Sequence, residues 1–168
     1  MPKLIILMGV SGSGKTVIGT ALAKRTSAIF IDGDDLHPQS NIDKMAAGIP
    51  LTDDDRLSWL ELLASLGHKY QTNNTSCIIA CSALKYEYRE LLRSGNNDIG
   101  FIYLKGSFEL IFSRIQQRHH QYMPASLLQS QFDALEEPLA TETDVLVVSI
   151  NRDLNTIINE IENAKWLS

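Results

Sequence analysis

The octapeptide Gly9-Val10-Ser11-Gly12-Ser13-Gly14-Lys15-Thr16 constrains this chain more than any other stretch. It has the spacing of a phosphate-binding loop, a glycine and four free positions followed by Gly-Lys-Thr. The apolar run Leu4-Ile5-Ile6-Leu7 leads into it and reads as a buried strand. Behind it, Val17, Ile18, Ala21 and Leu22 recur on one side of a helix. A loop of this kind, set between strand and helix, demands an α/β framework. Glycines let the main chain curl so that several N–H groups converge on one anion. The open N–H groups and positive dipole end of the next helix strengthen that attraction. Gly9, Val10, Ser11, Gly12, Ser13, Gly14, Lys15 and Thr16 are therefore the candidate nucleotide-binding residues. Lys15 is also a catalytic candidate, a point charge that reaches the outer phosphates, and the Thr16 hydroxyl is a candidate ligand for Mg²⁺.

The remaining composition limits the partners. With 168 residues the chain suits one domain, and 44% apolar with 21% charged residues is an ordinary globular mix. A net charge of −5 argues against a broad nucleic-acid surface. No apolar run approaches the roughly 20 residues that cross a bilayer. No signal-peptide pattern fits the start, so no membrane partner and a cytoplasmic location are expected. Cys77 and Cys81 fall in one apolar segment. If it is a strand, they stand roughly 13 Å apart, too far for a disulfide. Buried free thiols are expected, and no set of four ligands at zinc spacing occurs.

Apolar periodicity predicts strands at 4–8, 28–32, 77–82, 99–104 and 144–150. Helices are predicted at 15–25, 38–47, 54–71, 85–93, 108–118, 124–136 and 154–165. In the third helix Leu57, Leu60, Leu63 and Leu66 form the expected apolar face beside Trp59, with Asp53 as N-cap. Continuous apolar strands alternating with helices predict a doubly wound parallel sheet. One stretch breaks the alternation. The segment between the second and third strands is longer than one crossover needs. It starts at the carboxyl end of a strand, where such sheets bind ligands. Residues 37–72 are thus read as a substrate-binding insertion within a single domain, 1–168.

Two groups of charged residues offer chemistry. Asp32-Gly33-Asp34-Asp35 ends the second strand. On a straight strand Asp32 and Asp34 share a face. Asp34 is the candidate base for an attacking hydroxyl and Asp32 the outer-sphere Mg²⁺ ligand, with helix capping as the structural alternative. Arg56, Lys85 and Arg89 could clamp an anionic substrate, since guanidinium grips carboxylate with two parallel bonds. Their alternatives are a surface ion pair for Arg56 and a solvated helix face for Lys85 and Arg89. Arg114 and Arg118 lie four apart on one helix face ahead of His119-His120-Gln121-Tyr122. That arrangement reads as a lid, 114–126, carrying Arg118 to the transferring phosphoryl group and Arg114 to the nucleotide. Asn151 follows the last strand, a position that can touch the adenine.

Several strings together resemble the gluconate kinase (gluconokinase) family over nearly the whole chain. They are the phosphate loop, Asp32-Gly33-Asp34-Asp35-Leu36-His37-Pro38, Asn41-Ile42-Asp43-Lys44-Met45 and Gly48-Ile49-Pro50-Leu51. They continue with Asp53-Asp54-Asp55-Arg56, Trp59-Leu60, Cys81-Ser82-Ala83-Leu84-Lys85, Tyr88-Arg89, Ser130-Gln131-Phe132, Leu135-Glu136 and Pro138. The loop is widespread, whereas Asp-Gly-Asp-x-Leu-His-Pro and Cys-Ser-Ala-Leu-Lys are discriminating. The resemblance implies a P-loop, nucleoside-monophosphate-kinase-like fold with a five-stranded parallel core. It also implies ATP-dependent phosphorylation of the terminal hydroxyl of D-gluconate by a homodimer. His37 then joins Arg56, Lys85 and Arg89 as a substrate-binding candidate. Asp35 and the 118–122 string depart from the family pattern. The nearest alternatives are a kinase for shikimate or another small anion, or for a nucleoside monophosphate. A guanine-nucleotide switch lacks its Asn-Lys-x-Asp and Asp-x-x-Gly signatures here, and a nucleotide-bound module without turnover leaves the acidic cluster unused.

Overall fold

In the computed structural model residues 3–118 and 123–164 are described. Five strands, β1 (Leu4–Met8), β2 (Ile29–Asp32), β3 (Cys77–Ala80), β4 (Ile99–Lys105) and β5 (Val145–Ser149), form one parallel sheet. Its order is β2-β3-β1-β4-β5. The helices are α1 (Lys15–Thr26), α2 (Gln39–Ala46), α3 (Asp53–Thr72), α4 (Tyr86–Arg93), α5 (Phe108–Gln117), α6 (Ala125–Ala134) and α7 (Leu154–Glu162). A short 3₁₀ turn, Gly33–Leu36, follows β2.

Side chains alternate across each strand, so the apolar run of β1 feeds two cores. Ile5 and Leu7 pack with Ile18 and Leu22 of α1, Ile111 of α5 and Ile157, Ile158 and Ile161 of α7. Leu4, Ile6 and Met8 pack on the opposite side with Trp59, Leu60 and Leu63 of α3 and Tyr88 and Leu92 of α4. Because the strands are parallel, the phosphate loop, Asp32 and Ser82 all emerge from the same edge of the sheet. There the Gly9 N–H donates to the Ser82 carbonyl at 3.1 Å.

The predicted elements are all present, with ends shifted by a few residues. The apolar face of α3 differs from expectation. Leu57 is exposed and Leu66 only half-buried, whereas Trp59, Leu60, Leu63, Ala64 and Gly67 form the packed stripe. The N-cap is Thr52 instead of Asp53. Its hydroxyl accepts from the Asp55 N–H at 3.1 Å, and the Asp55 carboxylate accepts from the Thr52 N–H at 2.9 Å, a reciprocal capping box. Cys77 and Cys81 are buried and free, and burial pushes both thiols up to about 12. No helix among the described residues is long and apolar enough to cross a membrane.

Candidate active site

The phosphate loop is held open by its own geometry. Gly9 has φ 148°, and a Cβ there would come within 3.1 Å of the Leu104 carbonyl and 2.8 Å of the Ser13 Oγ. Gly14 caps α1 in the left-handed region, which turns the chain into the helix. Among the described residues, no protein acceptor meets the N–H groups of Gly12, Gly14, Lys15 or Thr16. These donors at the front of α1 form the anion cradle. The Lys15 ammonium lies across the cradle, donating to the Gly9 carbonyl at 2.9 Å and the Val10 carbonyl at 3.0 Å. Desolvation lowers its pKa, and the negative charge of Asp34 acts against that shift.

Asp32 and Thr16 meet as expected, the Thr16 hydroxyl donating to Asp32 Oδ2 at 2.9 Å. The strand does not continue to Asp34. The other Asp32 oxygen accepts from the Asp34 N–H at 3.1 Å, which winds the chain into the 3₁₀ turn. Asp34 is therefore aimed by that turn and not by strand alternation. Gly33 makes this possible, because a Cβ there would sit 2.4 Å from the Ala80 carbonyl of β3. The surrounding protein raises the Asp34 pKa, opposed by Lys15 and aided by Asp32 and Asp35. The side chain is 72% exposed, so water limits the rise.

A cavity of about 170 Å³ opens beside the loop. Ser11, Lys15, Asp34, His37, Arg56 and Trp59 line it together with Met45, Ile49, Leu51, Met123, Leu127 and Gln131. His37 stacks on Trp59 with ring centroids 4.0 Å apart. Its Nδ1 lies 3.2 Å from the Asn41 amide nitrogen, which also donates to the Asp55 carbonyl at 2.8 Å. An amide donor on Nδ1 leaves the ring proton on Nε2, 3.9 Å from Asp34. Burial and the nearby Arg56 push His37 down to about 4. It is thus neutral near pH 7, a hydrogen-bonding group and not a cationic one.

The basic candidates separate sharply. Arg56 lies in the cavity wall, over the Tyr88 ring at 5.5 Å and donating to its hydroxyl at 3.2 Å. Among the described residues no carboxylate comes within 4.0 Å of it, so the surface ion pair is absent and the guanidinium faces the cavity without a counter-ion. Lys85 instead pairs with Asp53 at 2.9 Å in an adjoining groove, outside the cavity lining. Arg89 departs furthest from expectation. It is fully buried, binds Glu142 with both arms at 2.7 and 2.9 Å and donates to the Ala83 and Leu84 carbonyls. Its hydrogen bonds are made inside the fold, so it holds the segment after β3 and does not line the cavity.

Arg114 donates to the Ile150 carbonyl at 2.7 Å and fastens α5 to the turn that carries Asn151. Asn151 is exposed there. Arg118 caps the end of α5, also exposed, and does not line the cavity. The expected lid, 114–126, includes 119–122, which lie outside the described residues. Trp59 and Gln131 are among the lining residues that the sequence candidates left out, although both stand in strings that carry the family resemblance. The Trp59 indole N–H donates to the Gly33 carbonyl at 2.8 Å and so steadies the turn bearing Asp34.

With this geometry in place, known proteins give a consistent match. A family model described as an AAA domain covers residues 4–140. Thermosensitive gluconokinase of Escherichia coli K12 is 50% identical over 159 residues, covering 95% of this chain and 85% of the relative. This chain belongs to the gluconokinase family. Thermoresistant gluconokinase of the same organism is 48% identical over 155 residues, spanning 92% of this chain and 89% of its own. The crystal structure of a gluconokinase from Sinorhizobium meliloti 1021 superposes with a TM-score of 0.87 at 41% identity, over 95% of this chain and 89% of that one. This chain thus matches gluconokinases in sequence and, for one solved structure, in fold.

Proposed function

We propose that the protein transfers the γ-phosphoryl group of ATP to the terminal hydroxyl of D-gluconate, giving 6-phospho-D-gluconate and ADP. The observation that carries this reading is the uncompensated Arg56 guanidinium in the same cavity as Lys15 and Asp34. It suits a small carboxylate whose far end carries the alcohol. The relatives' names supply the choice of gluconate.

The N–H groups of Gly12, Gly14, Lys15 and Thr16 bind the phosphate tail, and Lys15 leaves its carbonyl acceptors for the outer phosphates. Arg56 binds the gluconate carboxylate, and neutral His37 donates to an acceptor hydroxyl. Asp34 takes the proton of the terminal hydroxyl as its oxygen attacks the γ-phosphorus. The bond from that phosphorus to the β–γ bridging oxygen breaks, and ADP departs with the electron pair. The oxygen pair of Thr16 and Asp32 fits Mg²⁺, a hard cation that takes few protein ligands and would neutralise phosphate charge. We assign Arg118 to the transferring phosphoryl group, and Arg114 and Asn151 to the nucleotide. A homodimer in the cytoplasm is the assembly and location that fit this reading.

ATP consumption against a panel of aldonates and shikimate tests the assignment, with the phosphate position read by NMR. Gluconate is expected to turn over fastest, and the product to carry phosphate on C6. Turnover of shikimate without turnover of gluconate overturns it.

A further inference from the structure

The Ser130-Gln131-Phe132 string has no role in the steps above, yet the structure brings it against the phosphate loop. Gln131 Oε1 accepts from the Ser11 N–H at 2.7 Å, and Gln131 Nε2 donates to the Ser11 Oγ at 3.0 Å. One carboxamide therefore holds both polar handles of a single loop residue, 120 positions away in sequence. The neighbouring residues fix the helix that carries it. Leu128 is fully buried in the core, and Phe132 meets Phe108 of α5 edge to face at 5.8 Å. Beyond α6, the Glu136 N–H donates to the Leu84 carbonyl at 2.8 Å. Gln131 thus projects from an anchored support.

The loop needs such a support. Its donors at Gly12, Gly14, Lys15 and Thr16 must stay open, so few internal hydrogen bonds remain to fix its shape. Within it, Ser13 N–H to the Val10 carbonyl at 3.2 Å is the turn bond. Two loop donors are satisfied from outside, the Gly9 N–H by the Ser82 carbonyl and the Ser11 N–H by the Gln131 side chain. We propose that Gln131 is a positioning residue that holds the loop in its anion-binding shape by gripping Ser11, acting on the nucleotide without touching the reacting atoms. The idea rests on the reading of residues 9–16 as the triphosphate site and is independent of which alcohol is phosphorylated.

The test uses the whole protein and AMPPNP, with affinity measured by calorimetry and folding by thermal melts. Gln131→Ala removes the grip. Gln131→Met keeps the length and bulk but has neither the amide donor nor the amide oxygen. Two lost hydrogen bonds should weaken AMPPNP binding about tenfold in both variants, with melting temperatures near that of the parent. Parent-like affinity in Gln131→Met would show that bulk alone matters and would overturn the proposal, as would a loss of affinity that only tracks a loss of melting temperature. Failure of gluconate turnover in a parent protein that binds AMPPNP would remove the functional reading and leave this result standing.

Discussion

Asp34 and Arg89 carry opposite lessons about charged side chains. Asp34 stands in the cleft mouth with its charge available, so Asp34→Asn should lower kcat at least about 100-fold while the melt is unchanged. Its raised pKa has a sign that can be checked. With Asp34 as the proposed base, kcat should fall as pH drops through a midpoint above that of an ordinary aspartate. Arg89→Ala should act on stability instead. It leaves part of a buried carboxylate unpaired and should cost about 3 kcal/mol in urea unfolding, whereas Arg56→Ala should raise the KM for gluconate more than about tenfold with little change in unfolding. His37 adds a pH term. Its folded value is about 4 and its ordinary value 6.5, so the unfolded chain binds more protons in that window. Stability present above pH 6.5 is therefore lost as pH falls toward 4. Comparing urea unfolding of the parent with His37→Gln across that range should show the parent losing more.

At the scale of elements, the turn after β2 and the start of α3 matter most. Gly33→Ala would press a methyl group on a backbone carbonyl that cannot move cheaply, and should displace the turn that carries Asp34. Activity should then fall together with the melting temperature. Thr52→Ala should cost about 1 kcal/mol by breaking the capping box that starts the helix of Arg56. These elements also show what sequence reveals. The five strands were legible because both faces of a parallel sheet are apolar, and the phosphate loop because its spacing is tied to one geometry. The Asp34 turn was not, since strand alternation gives no warning that Asp32 will bond the Asp34 N–H. Arg89 looked like an exposed clamp because its partner Glu142 is 53 residues away. The α3 face was misread by one step. A leucine at every third position falls behind the 3.6-residue turn, so Leu57 rotates out to solvent.

Across the whole molecule, the fold sets local cations against a negative background. The chain carries −5, and ATP and an aldonate are both anions. In the proposed reading Lys15 and Arg56 draw these anions through a field of opposite preference, and salt weakens fields of both signs. Beside the site this should appear as a KM for gluconate that rises with ionic strength, a slope that Arg56→Ala should flatten. The core behind them is rigid by the same topology. β1 lies between β3 and β4 and feeds both packed layers, so the loop is mounted on the most enclosed strand of the sheet.

The solitary guanidinium of Arg56 bears on how the enzyme is handled. A positive group facing a pocket of this size will accept whichever small organic acid is most abundant. Citrate, malonate or acetate used as buffer should occupy it, appearing as competitive inhibition against the sugar acid and not against the nucleotide. Assays run in such buffers will understate the affinity for gluconate.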